Sequence, residues 1–156
     1  MPNTKKVVKR SKASAAKKPA VPSRFKTYAD IDSVKDAMEI MGYTEKHRPN
    51  VKNLPPHLQQ AMASDFDKLV MHEAYNKLAN FVPDPADPNQ QKWWSWRWVK
   101  RVKKSKKYPS GLGFSHTRTL YDNTITCVGP RLCVGTQAEA IDMATRHEYL
   151  WIGSWF

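Results

Sequence analysis

Three prolines within six residues divide the chain into two parts with different periodicities. The segment VPDPADPNQ, residues 82–90, carries them. Proline cannot continue a helix interior and has no amide N–H for a β-ladder, so neither element is expected to cross this segment. Apolar residues recur at helical spacing before it, and aromatic, β-favouring residues follow it. The sequence therefore predicts helices before residue 82 and strands after residue 91.

Two helices are predicted before the proline segment, separated by a polar loop over 43–54. The first lies in TYADIDSVKDAMEIMGY and ends at Gly42; its apolar face consists of Ile31, Val34, Met38 and Met41. The second runs over about 56–81, because proline is tolerated in the first turn of a helix. Its apolar stripe is expected to be core throughout: Leu58, Met62, Phe66, Leu69, Val70, Ala74, Leu78 and Phe81.

Three strands and a helix are predicted after the proline segment. The strands are WWSWRWV from residue 93, LGFSHTRTLYD at 112–122, and TITCVGPRLCVGT at 124–136. Thr136 and Glu139 have the capping-box spacing for a last helix over about 137–151. The fold class is therefore α+β, with two N-terminal helices, a small antiparallel three-stranded sheet and a C-terminal helix. The inner side of the last helix is expected to be Ala140, Ile141, Ala144 and Trp151.

The net charge of +12 lies in two blocks. Residues 1–26 carry +9 and residues 92–107 carry +8, whereas residues 27–91 sum to −4 and residues 108–156 to −1. Two like-charged blocks repel unless a polyanion neutralises both, which points to nucleic acid or an anionic surface. Residues 1–24, rich in Lys, Ala, Ser and Pro, are predicted to form a basic arm that is disordered unless bound. A solubilising tail or a localisation signal is the alternative. A single domain is expected over 25–156.

The run KWWSWRWVKRVKKSKK, residues 92–107, has two interpretations. Its tryptophans, at 93, 94, 96 and 98, are either sheet core or a stacking surface for single-stranded nucleic acid. Because the lysines follow the tryptophans, we expect the Trp half to anchor a strand and a basic loop to extend near 99–107. No recognition helix is visible, so contact with the phosphate backbone is expected, DNA being favoured. The predicted nucleic-acid-binding residues are Lys5, Lys6, Lys9, Arg10, Lys12, Lys17, Lys18, Arg97, Lys100, Arg101, Lys103, Lys104, Lys106 and Lys107.

No catalytic or metal-binding motif is visible in the sequence. There is no Gly-rich phosphate loop, HExxH, paired Cys-x-x-Cys or nucleophile elbow, so we predict no enzyme activity, cofactor, metal or small-molecule substrate. His72 and His147 are expected to be surface or interface residues. Cys127 and Cys133 are expected to be small buried hydrophobes in an intracellular, reducing setting. Neither a membrane span nor a secretory signal is predicted.

Several motifs of the second half resemble those of a known family. They are Lys92-Trp93-Trp94-Ser95-Trp96, Gly113-Phe114-Ser115 with Tyr121-Asp122, and Val128-Gly129-Pro130-Arg131-Leu132-Cys133, followed by Thr136 and a helix with Ala140 and Ala144. In these motifs the chain, over about residues 25–156, resembles a family of small uncharacterised proteins of gut bacteria and their phages. It departs from that pattern at Pro130, where a serine is expected, and in its basic run and arm. The resemblance implies an α+β fold and a phage-associated setting, and it carries over no functional residue.

Two functions stay open from the sequence. The first is a phage-associated, non-enzymatic nucleic-acid-binding or virion component, located in the virion or the host cytoplasm. The second is a capsid-decorating or adaptor structural protein that uses the arm and the aromatic C-terminus, LWIGSWF, to bind protein neighbours. The alternative for these aromatic residues is to fold back on their own sheet. The predicted partner-binding residues are Trp151, Trp155 and Phe156.

Overall fold

The computed structural model of the protein describes residues 20–106, 108, 111–122 and 132–155. The fold is mixed and helix-rich, as the sequence predicts in outline. Short 3₁₀ turns at Tyr28–Asp30 and Glu45–His47 precede the first two helices. Most of the basic arm, residues 1–19, lies outside the described residues. The elements in chain order are α1 (Val34–Met41), α2 (Pro56–Leu78), β1 (Lys92–Arg101), β2 (Leu112–Asp122), α3 (Gln137–Arg146) and α4 (Tyr149–Trp155).

The first helix, α1, begins later than predicted and ends where predicted. Ser33 is its N-cap, and the hydroxyl of Ser33 accepts the amide of Asp36 at 3.3 Å. At the other end Gly42 adopts a left-handed conformation with φ of 73°, which glycine favours as a helix stop. Ile31 therefore lies before the helix, although its side chain is fully buried.

The second helix, α2, ends three residues before the predicted end. Asn80 has a φ of 51°, and the amide of Phe81 donates to the carbonyl of Asn76 at 2.8 Å, as in a Schellman stop. The prediction of a core stripe along the whole helix is wrong for its first half. Val70, Met71, Ala74 and Tyr75 are at most 2% exposed, but Leu58 and Met62 are 42% and 44% exposed. No described element buries those two side chains.

The prediction of a single helix over 137–151 is also wrong, because the chain turns at His147-Glu148 and forms two helices, α3 and α4. The predicted capping box is confirmed: the Glu139 carboxylate accepts the Thr136 amide at 2.9 Å, and the Thr136 hydroxyl accepts the Glu139 amide at 3.2 Å. Ile141 is 45% exposed, so it does not belong to the inner side; Met143 is buried instead. The turn allows α4 to pack against α2, with Leu150 in the core.

His72 and His147, predicted to be surface or interface residues, are instead buried within the fold of the single chain. The Nδ1 of His72 donates to the carbonyl of Lys68 at 2.7 Å, and the ring of His72 lies edge-on to Trp151. The ring of His147 lies edge-on to Tyr75 and Tyr149, at centroid distances of 6.1 and 6.0 Å. These contacts bury both imidazole rings, and no spacing pattern in the sequence predicts them.

The two strands form an antiparallel ribbon that packs on α3. The predicted bounds of the second strand, 112–122, are confirmed. Pairing runs from Lys92 opposite Asp122 to Arg101 opposite Leu112, with an irregularity between Arg97 and Val99. Of the predicted third strand, residues 124–131, which include Cys127, lie outside the described residues. Val134, near the end of the predicted strand, forms a single antiparallel bridge to Trp93. Cys133 is buried, as predicted.

Candidate nucleic-acid interface

The basic loop begins later than the predicted residue 99, because β1 continues to Arg101 and pairs there with Leu112. The amide of Val102 donates to the carbonyl of Gly111 at 2.9 Å and extends the ladder by one bond. Ser105 and Tyr108 then exchange two hydrogen bonds, at 3.2 and 3.1 Å, from the amide of each to the carbonyl of the other. These bonds bring Ser105 and Tyr108 together, so the chain turns directly after Lys103 and Lys104.

Gly111 makes the return from this turn possible. Its φ of 76° is in the left-handed region, where a side chain is strained. A Cβ at this position would also lie 3.3 Å from Cγ of Lys104 and 3.5 Å from the carbonyl of Val102. Because residue 111 is glycine, its backbone can lie directly against the side chain of Lys104.

The loop is attached to the helical body through Tyr108. The phenol of Tyr108 donates to Oε1 of Glu148 at 3.2 Å, and Glu148 lies in the turn between α3 and α4. Sequence reasoning did not single out Tyr108. The signal present was a lone tyrosine directly after the run of lysines. Its bond limits how far the loop can swing away from the body.

Five described cations, two on the last residues of β1 and three in the loop, are all exposed, and together they are called the loop cations. Within the described part of the chain, none of them lies within ion-pair distance of a carboxylate. Five positive charges within seven residues repel one another and attract anions, and phosphate oxygens suit both ammonium and guanidinium groups. These cations are Lys100, Arg101, Lys103, Lys104 and Lys106.

Four cations of the helical body, unlike the loop cations, form ion pairs with carboxylates. Arg24, Arg48 and Arg146 join separate segments of the chain, whereas Lys68 pairs within α2, and each of these four cations has a carboxylate partner. The pairs are Arg24 with Asp36 and Glu39, Arg48 with Asp67 at 2.5 Å and Glu45 at 2.9 Å, Lys68 with Asp65 at 2.7 Å, and Arg146 with Asp32 at 2.8 Å and Asp142 at 3.2 Å.

The first residues of the basic run serve the fold. Lys92 is only 4% exposed, and its ammonium group donates to the carbonyls of Asp87 and Gln90 at 2.9 and 3.1 Å. Trp93 is half-buried and packs against the core, as expected of an anchoring residue. Trp94 is also half-buried. Lys92, the first cation of the run, is therefore not available to a ligand, which the sequence pattern alone does not indicate.

The remaining predicted site residues are placed as follows. Arg97 lies on β1 opposite Thr117. Trp151 is half-buried, packs against the core and meets the ring of His72 edge-on. Trp155 is the last residue of α4. The residues that lie outside the described part are Lys5, Lys6, Lys9, Arg10, Lys12, Lys17, Lys18, Lys107 and Phe156.

Neither a metal site nor a relative supplies a further indication of function. Among the described residues, no three His, Cys, Asp or Glu side chains are grouped so that they would hold a metal ion. The described helices include none that is both long and apolar enough to cross a membrane. The chain matches no family model, no curated protein and no solved structure. The resemblance to a phage-associated family stays a prediction.

Proposed function

We propose that the protein is a phage-associated, non-enzymatic nucleic-acid-binding or virion component. Its basic loop and its arm would contact the phosphate backbone, preferably of DNA, without reading the base sequence. The observation that carries this proposal is the set of five exposed loop cations with no carboxylate partner among the described residues. Charge of this kind, held at the end of β1 and in the turn that follows it, is stabilised when a polyanion replaces its small counterions.

Salt dependence gives this proposal a quantitative form. Each phosphate neutralised on duplex DNA lowers the slope of log affinity against log salt by about 0.9. Contacts from all five loop cations would therefore give a slope near −4 or −5, before any contribution from the arm. An interface built mainly from apolar burial would show little of this dependence.

The test is fluorescence anisotropy of a labelled generic oligonucleotide, titrated with protein at about 50 to 300 mM salt. One variant changes Lys100, Lys103, Lys104 and Lys106 to Gln. Its matched control changes Lys26, Lys35, Lys46 and Lys52 to Gln, which removes the same charge from exposed positions of the helical body.

We expect the loop variant to flatten the slope by about 3 to 4 and the control to change it far less. Equal losses in the two variants would mean that only net charge matters, and would contradict a loop-centred interface. No binding by the natural protein at low salt would reject the proposal as a whole.

The adaptor alternative has less support. It requires the C-terminal aromatic residues to be available to a protein neighbour, yet Trp151 packs against the protein's own core and against His72. That contact leaves two of the three predicted partner-binding residues, Trp155 and Phe156, to carry the adaptor function.

We also propose that the segment over 124–131 continues as a third strand beside β1. Support comes from the bridge at its end, where Trp93 and Val134 exchange hydrogen bonds of 3.0 and 2.8 Å. A third strand would hold the base of the ribbon rigid while its basic loop binds phosphate. Slow amide exchange over 124–131 is the expected result, and exchange as fast as in a free peptide would contradict it.

A further inference from the structure

The hydrogen bond between Tyr108 and Glu148 joins the basic loop to the helical body across forty positions of the chain. Both residues are half-buried, whereas Lys103, Lys104 and Lys106 of the loop are exposed. The contact therefore lies between the loop and the body and leaves these lysines accessible to solvent. A bond of this kind can hold the loop in position without covering its charges.

The acceptor of this bond is carried by a firmly packed part of the body. Glu148 follows His147, which is 1% exposed, and Leu150, two residues further on, is 2% exposed. The carbonyl of Glu148 accepts the amide of Trp151 at 3.1 Å in the first turn of α4. The carbonyl of His147 accepts the amide of Leu150 at 3.0 Å. Because the chain is anchored on both sides of Glu148, its carboxylate has little freedom to follow a moving loop.

The donor belongs to the residue on which the turn of the loop is built. The amide of Tyr108 donates to both the carbonyl and the hydroxyl of Ser105, each at 3.1 Å. The carbonyl of Tyr108 accepts the amides of Ser105 and Gly111 at 3.2 and 3.1 Å. The backbone of Tyr108 therefore connects the lysine-rich side of the turn to its return, and holding this residue holds both sides.

Repulsion among the loop cations explains why such a restraint matters. Five positive charges so close together favour many spread conformations of the loop unless a contact limits them. Ordering a loop during binding costs free energy, and a loop already held in its bound shape avoids that cost. Because the loop cations stay exposed while the bond is made, a positioning role fits the bond better than an inhibitory one.

We propose that Tyr108 and Glu148 are positioning residues for phosphate binding, whose hydrogen bond holds the basic loop in its binding shape before nucleic acid arrives. The inference rests on the proposed function and adds two residues on which the affinity depends. The bond supplies no positive charge, so it changes the fraction of molecules that are competent to bind and not the number of phosphates they contact. Affinity and salt dependence should therefore respond differently when the bond is removed.

The first test repeats the anisotropy titration, over about 50 to 300 mM salt, with Tyr108→Phe, which keeps the ring and loses the hydroxyl. We expect the affinity to fall about two- to tenfold at every salt concentration, as for the loss of one hydrogen bond, with the slope against log salt unchanged. Tyr43→Phe is the matched control, because the phenol of Tyr43 donates to Oε2 of Glu73 at 3.1 Å within the helical body. It should bind as the natural protein does, and equal losses in the two variants would contradict the proposal.

A double-mutant cycle separates this bond from a direct contact between the phenol and a phosphate. In Glu148→Ala the phenol has lost its acceptor, so adding Tyr108→Phe should change the affinity by less than about twofold. A full further loss in that background would mean that Tyr108 touches the nucleic acid itself, and would overturn the positioning role.

The last measurement needs no nucleic acid. Limited trypsin digestion of the folded protein, followed by mass spectrometry, reports how often the loop opens around Lys103, Lys104 and Lys106. Tyr108→Phe should speed cleavage there about two- to tenfold, and Tyr43→Phe should not. Equal cleavage in the natural protein and Tyr108→Phe, or binding that Tyr108→Phe leaves unchanged, rejects the positioning role alone. No binding by the natural protein rejects the proposed function and this inference with it, whatever the rate of cleavage.

Discussion

The helical body pairs four of its cations with carboxylates, whereas the loop cations have no carboxylate partner among the described residues. In the body, Arg146 pairs with Asp142 on its own helix, pairs with Asp32 and donates to the carbonyl of Ile31 at 2.8 Å, so one guanidinium joins α3 to the segment before α1. In the loop, five cations have no carboxylate partner among the described residues. The comparison teaches that the paired cations of the body contribute to the fold, whereas the loop cations repel one another until a ligand neutralises them.

Burial separates the same two regions. The core consists of side chains from the helices and from segments beside them, with Tyr75, Ile31 and Met71 among the most deeply buried. No described residue between 100 and 106 is buried. Substitutions in the body should therefore change stability, and substitutions in the loop should change binding.

The largest expected effect is on the body. Tyr75 is fully buried, stacks on Tyr28, and donates to Oδ2 of Asp142 at 2.6 Å. Tyr75→Ala should lower the free energy of unfolding by about 3–5 kcal/mol, as for other large aromatic side chains removed from a core. Urea denaturation is the measurement. Tyr75→Phe, which loses only the hydroxyl, should cost about 1 kcal/mol. A loss below about 1 kcal/mol for Tyr75→Ala would contradict the assignment of Tyr75 to the centre of the fold.

An acid-dependent loss of stability is the next largest effect. Burial lowers the pKa of His72 from 6.5 to about 4, and burial together with Arg146 lowers the pKa of His147. Because the folded state binds fewer protons than the unfolded state between these values, stability should be full above pH 6.5 and fall as pH drops toward 4. His72 alone contributes about 3 kcal/mol to this loss.

Urea denaturation at several pH values between 4 and 7 measures this dependence. His72→Leu should reduce the slope by about 1.4 kcal/mol per pH unit, because the titrating imidazole is gone. His57→Leu is the matched control, because it makes the same substitution at an exposed position at the start of α2. Equal slopes in the natural protein and the His72 variant would contradict a neutral, buried imidazole.

The smallest expected effect on stability comes from a substitution in the loop. Gly111→Ala forces a side chain into a left-handed conformation against Lys104, at a cost of about 1 kcal/mol that falls mainly on the shape of the loop. We expect weaker nucleic-acid binding with a melting temperature close to that of the natural protein. Anisotropy and thermal melting, measured on the same sample, check this. A large fall in melting temperature with unchanged binding would reverse the roles assigned to the two regions.

Local signals in the sequence were enough for several elements. Gly42 as a helix stop, Pro56 at a helix start, the Thr136–Glu139 capping box and the 112–122 strand all depend on residues near one another in the chain. Such features are fixed by backbone sterics and short-range hydrogen bonds, so pattern reasoning predicts them. The basic character of the loop was equally visible, because charge is a property of composition.

Tertiary packing decided the rest. Which half of α2 is buried depends on where α1 and α4 pack, and the burial of His72 depends on Trp151, nearly eighty residues away. The attachment of the loop through Tyr108 and Glu148 likewise joins residues forty positions apart. Hydrophobic burial and hydrogen bonding act through space, so an apolar stripe predicts a helix but not which turns of that helix find a neighbour. The sequence by itself determined the kinds of element and the sites of charge, and only the folded chain decided which charges are compensated.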